Sequence, residues 1–296
     1  MEQSIVEAVA GHARRAPERS AMLFEGATLS YGQLYADVER FARALLAAGL
    51  TPGERVALFL ENCPAFAVAY LGAHLAGGVV TLVNSAYRQV ELSHIFTDAD
   101  VRICVTSPAG AAALAALEAP ALRLIVVVGA DTATEGGAMS AAARVGYAAF
   151  LRQGEGSAEL RMPAGDAPAS IGYTSGTTGR SKGALLLHRN QIANTIAITT
   201  AWRWSLDDRL LLALPLFHSH GLGVGLHSSF FMGSSVLLHR KFDASATLAA
   251  IAADPLVSVF FGVPTMYARL IAAATQAGAP TRPLRLYVSG SAPLPS

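Results

Sequence analysis

Apolar and polar positions change period along this chain in a regular order. Residues 21–31 alternate around Glu25-Gly26, as a small hairpin does. Residues 30–49 then place Leu34, Val38, Phe41 and Leu45 on one helical face, with Ser30 and Gln33 as a capping box and Gly49 as the stop. The apolar run RVALFL at 55–60 predicts a buried strand, and residues 63–76 predict a helix with Pro64 in its first turn and Gly77 past its end. The alternation continues with strand 79–83, helix 88–97, strand 101–106, helix 108–117 and strand 122–128. A polar stretch rich in Gly and Pro, 151–169, reads as a linker between subdomains. Beyond it come helix 190–204, strand 209–214, helix 221–232, strand 235–239, helix 243–253, strand 257–261, helix 264–274 and strand 284–288. Unbroken apolar strands separated by helices predict an α/β fold of two mostly parallel sheets flanked by helices, divided into subdomains 1–165 and 166–296.

Composition narrows the partners. The chain has 296 residues, 52% of them hydrophobic, enough for one large or two medium cores. A formal charge of +1 and the lack of a basic cluster argue against a nucleic-acid surface. Residues 221–238 form the most apolar long segment, but His227 and several serines and glycines argue against a membrane span. The N-terminal segment has no signal-peptide core, and two cysteines, Cys63 and Cys104, read as free thiols in a reducing cytosol. A cytoplasmic protein acting on a small molecule is the expectation.

The densest chemistry lies at 173–183, YTSGTTGRSKG, where three glycines, five serine and threonine hydroxyls and Lys182 share one loop. Glycines let backbone N–H groups converge, hydroxyls add short donors and the lysine adds a mobile charge, which together suit a polyphosphate such as that of ATP. A P-loop of the G-x-x-x-x-G-K-[ST] kind would continue into a helix. Here Gly183 and the strand-like ALLL follow Lys182. A plain Gly/Ser/Thr turn is the bland alternative.

In parallel sheets ligands bind beyond the carboxyl ends of strands. Three such ends run into PLFHSHG, GVPT and SGSAP. Together YTSGTTGRSKG, PLFHSHGL, GVPTMYARL and LYVSGSAPL resemble, in order and spacing, the adenylate-forming superfamily of acyl-CoA synthetases, luciferases and adenylation domains. NSAYRQVELSHIFTDAD, WRWSLDDRLLLALPLFHSHGL and KFD look most similar to its malonyl-CoA synthetase branch.

That resemblance implies attack of a carboxylate on the α-phosphorus of ATP, loss of pyrophosphate, and displacement of AMP by coenzyme A, with Mg2+ as cofactor. It implies that Thr174, Ser175, Gly176, Thr177, Thr178 and Gly179 wrap the phosphates with Lys182 assisting, and that His218 lies between carboxylate and nucleotide. His220 would shape the pocket. Ser289, Gly290, Ser291, Ala292 and Pro293 would line the adenine and acyl pockets, mainly with backbone. Arg285 is expected to hold the second carboxylate of malonate or methylmalonate, with Arg282, Arg240 and Lys241 as rivals. The alternatives are a monocarboxylic acyl-CoA synthetase of the same superfamily, or a truncated nucleotide-binding module inactive alone. His12, His74, His94, His188, His227 and His239 are assigned structural or surface roles, and no residue is assigned to a metal. The resemblance further implies that Ser296 falls inside the family's large domain, so a truncated N-terminal large domain without the third subdomain and the C-terminal domain is expected, with a missing portion or a partner chain needed for full activity.

Overall fold

The computed structural model describes residues 4–129, 142–156, 158–174, 180–277 and 282–293. In chain order its elements are α1 (Ile5–Arg15), β1 (Ser20–Phe24), β2 (Ala27–Ser30), α2 (Tyr31–Ala47), β3 (Arg55–Phe59), α3 (Pro64–Leu75), β4 (Val79–Leu82), α4 (Gln89–Asp98), β5 (Val101–Thr106), α5 (Pro108–Ala115), β6 (Leu124–Val127), β7 (Ala143–Gly146) and α6 (Tyr147–Gln153). There follow β8 (Pro168–Thr174), β9 (Lys182–Leu187), α7 (His188–Ala201), β10 (Arg209–Leu212), a π-helical turn (His220–Leu226), α8 (His227–Met232), β11 (Ser235–Leu238), α9 (Ala244–Ala253), β12 (Val257–Gly262), α10 (Pro264–Ala277) and β13 (Leu286–Ser289). Among the described residues no helix is long and apolar enough to cross a membrane.

The strands form two mixed sheets flanked by helices. One has seven strands in the order β7-β6-β5-β3-β4-β8-β9, the other six in the order β13-β12-β10-β11-β1-β2. Within each, all pairs are parallel except one at an edge, β8 with β9 and β1 with β2. The chain divides into two compact units, one made of Met1–Glu7, Gln33–Leu60 and Ala65–Ile192, the other of Ala8–Gly32, Glu61–Pro64 and Ala193–Ser296.

In the seven-stranded unit β3 is central, and Val56, Ala57 and Leu58 are fully buried, as an all-apolar strand covered on both faces must be. Helix α3 is buried along nearly its whole length and ends before Gly77, whose φ of +79° belongs to the left-handed region that glycine enters without penalty. In the six-stranded unit the buried strand β10 lies between β12 and β11, and Asp243 caps α9 by accepting from the Ala246 N–H at 2.8 Å.

Three expectations change. The strands on either side of the glycine loop, assigned above to a second subdomain beginning at residue 166, pair within the seven-stranded sheet, where β8 lies beside β4. Residues 151–169 therefore run from the end of α6 to the start of β8 inside one sheet, and β7 and α6 add a strand and a helix that periodicity did not predict. The helix expected at 221–232 is two pieces, because the glycine-rich HGLGVGL winds as a π-helical turn before α8 begins.

Candidate functional site

One candidate region is the hairpin of the seven-stranded unit. β8 and β9 pair antiparallel, with Tyr173 opposite Gly183 and Thr174 opposite Lys182 at its mouth. A strand, not a helix, follows Lys182, which separates this loop from the P-loop type. Ser175, Gly176, Thr177, Thr178 and Gly179 lie outside the described residues. Lys182 is exposed and, among the described residues, enters no ion pair. Its charge is available to an anion. At the neck, Tyr173 donates from its hydroxyl to Asp98 Oδ2 at 2.6 Å, and burial together with the Asp98 carboxylate raises its pKa.

A separate candidate region lies at the carboxyl ends of β10, β12 and β13 in the six-stranded unit. β10 leads into Pro215, and the chain turns back so tightly that a Cβ on Gly221 would lie 2.3 Å from the Pro215 carbonyl oxygen. Only glycine fits there. The turn is held from outside by Asn62, which is 3% exposed: its Nδ2 donates to the carbonyls of Leu214 (2.9 Å) and His239 (3.0 Å), and its Oδ1 accepts from the Leu216 N–H (2.8 Å). All but one of the amide's hydrogen-bonding sites are thereby used.

His218 stands exposed on this turn, its ring 4.5 Å from that of Phe217, and its partial desolvation lowers its pKa so that the neutral imidazole prevails at pH 7. His220 is buried, packed at 5.8 Å on the Phe261 ring, and burial likewise lowers its pKa. It is His220 that meets the segment after β13. Its Nδ1 lies 3.1 Å from Ser291 Oγ, and a Cβ on Gly290 would come within 3.2 Å of its Cε1. Ser291 takes a left-handed backbone (φ +66°), unusual for a non-glycine residue. Ser289 pairs with Gly262 across the strand ends and its hydroxyl is buried without a hydrogen-bond partner, a donor left for a ligand. Ala292 and Pro293 follow, exposed. Tyr267 fastens β12 to β13 by donating to the carbonyls of Val288 (2.7 Å) and Phe260 (3.2 Å).

Arg285 sits at the other end of β13. Its Nε and Nη2 hold Asp208 at 2.9 and 2.7 Å, and Nη1 donates to the Trp202 carbonyl at 2.9 Å. Burial works against the Asp208 carboxylate, yet hydrogen bonds from Arg285, Ser258 and the Ser205 N–H keep its pKa below the usual range. This guanidinium is already engaged by a buried carboxylate, at the strand start rather than the ligand-binding strand end. Of its rivals, Arg282 donates to the Ile251, Asp254 and Val257 carbonyls, Arg240 pairs with Glu25, and Lys241 is exposed.

Sequence reasoning missed Asn62, Tyr267 and the Tyr173–Asp98 contact. Tyr267 lies inside a quoted motif and Tyr173 opens another, so attention to their hydroxyls would have raised the question. Asn62 carried one faint signal, a polar residue interrupting an apolar strand-helix junction.

Residues 9–296 match the family of AMP-binding enzymes, and the chain belongs to that family. It is 32% identical over 285 residues to the feruloyl-CoA synthase of Amycolatopsis sp, covering 96% of this chain and 53% of that protein. It is 27% identical over 326 residues to the malonate–CoA ligase of Arabidopsis thaliana, covering 98% and 52%. Among solved structures, apo MatB from Rhodopseudomonas palustris superposes with a TM-score of 0.81 at 32% identity, over 99% of this chain and 56% of that one. The chain spans about half the length of the curated relatives it matches.

Proposed function

We propose that this chain carries the ATP- and acid-binding part of an AMP-forming acid–thiol ligase. The observation that carries the reading is the strand-end cluster of the six-stranded unit, in which His220 meets Gly290 and Ser291 beside the free Ser289 hydroxyl, within an AMP-binding family chain. Activation joins two anions, a carboxylate and the α-phosphate, so the protein's task is to align them and offset their charge. Lys182, with Thr174 opposite it, supplies cation and hydroxyl for the phosphates. His218, neutral at pH 7, orients the carboxylate by donating one N–H without adding a charge. The residues from Ser289 to Pro293 present backbone and small side chains to a flat base or acyl group. Magnesium comes with the triphosphate; among the described residues no group of three or more His, Cys, Asp or Glu could hold a metal. Coenzyme A is the acceptor of the activated acyl group.

For the acid, kinship with malonate–CoA ligase supports malonate or methylmalonate. A second reading, a monocarboxylic acid, is favoured by the engagement of Arg285 with Asp208, which leaves the second carboxylate without its expected partner. The test is ATP-dependent pyrophosphate release over a panel of malonate, methylmalonate, acetate, hexanoate and ferulate, beside calorimetric titration of the chain with ATP and Mg2+. Release that depends on malonate, and that falls about 10- to 100-fold in His218→Ala, supports the first reading. Preference for a monocarboxylate supports the second, and nucleotide binding without release from any acid assigns the chain a binding role alone.

A further inference from the structure

In the seven-stranded unit, helix α4 reaches the neck of the glycine-loop hairpin with two side chains. Asp98 accepts from the Tyr173 hydroxyl at 2.6 Å, and His94 Nε2 lies 2.8 Å from the Ser181 carbonyl oxygen. A carbonyl only accepts, so the His94 proton is on Nε2. The rings of His94 and Tyr173 meet edge to face, 6.0 Å apart at 80°. His94 and Asp98 are one helical turn apart and share a face. Each bond falls on a different strand: Tyr173 is near the end of β8, and Ser181 directly precedes β9. The pair Thr174 and Lys182 lies immediately beyond.

The helix is a firm anchor, because Leu92, Ile95 and Phe96 seat it in the core with 1% exposure or less. The hairpin is held by β4 only as far as Gly172, so its mouth at Tyr173 and Thr174 lies beyond that ladder. β9 is an edge strand exposed from Lys182 through Leu186, and a two-stranded ribbon alone is marginal in water.

We propose that His94 and Asp98 are positioning residues that clamp the two sides of the hairpin mouth, fixing the separation of Thr174 and Lys182 for a polyphosphate. The assignment rests on the reading of this loop as the phosphate site. Its physical content is preorganisation: ordering of the mouth is completed by α4 before nucleotide arrives, so less ordering opposes binding.

The test compares the wild-type chain with His94→Ala, His94→Gln and Tyr173→Phe. Amide hydrogen exchange at Ser181, Lys182 and Gly183, without ligand, is expected to quicken about tenfold in His94→Ala and Tyr173→Phe. In His94→Gln, whose side-chain amide can still donate to the Ser181 carbonyl, it stays within about twofold of wild type. Calorimetric Kd for ATP follows the same order, rising about tenfold in His94→Ala and recovering in His94→Gln. A merely structural histidine would show no such rescue. Equal exchange and equal ATP affinity in all four proteins overturn the clamp, as does a glutamine variant no better than alanine. Failure of the wild type to bind ATP overturns the phosphate reading and the role built on it, whatever the exchange rates show.

Discussion

In the seven-stranded unit the candidate chemistry hangs from an edge, on a hairpin whose outer strand is open to water. In the six-stranded unit it sits at the carboxyl ends of neighbouring parallel strands, over a buried middle. An edge hairpin is built from contiguous residues, so its motif can be read in one stretch and its turn can be almost wholly polar. A cluster of strand ends has no contiguous sequence. It requires fasteners from elsewhere: Asn62 for the turn after β10, Tyr267 for the ends of β12 and β13, His220 for the segment after β13. Disturbance should therefore be severe and cooperative in the second region, mild and local in the first.

The largest effect expected is that of Asn62→Ala. It strands the buried Leu216 N–H and two carbonyls at once, for a loss of about 4 kcal/mol in urea unfolding. Gly221→Ala drives a methyl into the Pro215 carbonyl and should cost about 3 kcal/mol by the same measurement. Acid supplies a test of the first unit. His188, 1% exposed and 4.6 Å from the His74 ring, has its pKa lowered by burial to about 4. An unfolded histidine titrates near 6.5, so between these values the unfolded chain binds the extra proton. Stability should then be intact above about pH 6.5 and fall by roughly 3 kcal/mol as pH drops toward 4, read as a falling denaturant midpoint. His218, His220 and His239 in the other unit are shifted in the same direction and add to the slope. The smallest effect belongs to Gly183→Ala in the hairpin. There the new methyl meets a side-chain atom of Ile171 at 2.9 Å, which can move aside, and a loss of about 1 kcal/mol or less is expected. A larger loss at Gly183 than at Gly221 would break the contrast.

Much of the fold was legible because its signals are local. RVALFL, the N-terminal hairpin and the Asp243 cap each declare an element within a few residues, and all three formed. The glycine loop and the strand-end motifs were legible for the same reason. Register between distant elements was not. Nothing in residues 20–24 announces β11 as their partner, and nothing near Arg285 announces Asp208. The pull of His218 as a motif residue also concealed that its neighbour His220 makes the observed contact with Ser291. Those facts are set by tertiary geometry, to which periodicity is blind.

The pairing of Met22 with Val236 has a consequence in time. All strands of the seven-stranded sheet lie between residues 55 and 187, so that unit can close while synthesis continues. β1 has no neighbour in its sheet other than β2 until more than 200 further residues have been translated. At ribosomal speeds of roughly 5 to 20 residues per second, that is a wait of about 10 to 40 seconds. For that interval the N-terminal hairpin is a strand edge without its parallel neighbour, and the newborn chain is at its most vulnerable to chaperone capture or misassembly before β11 emerges.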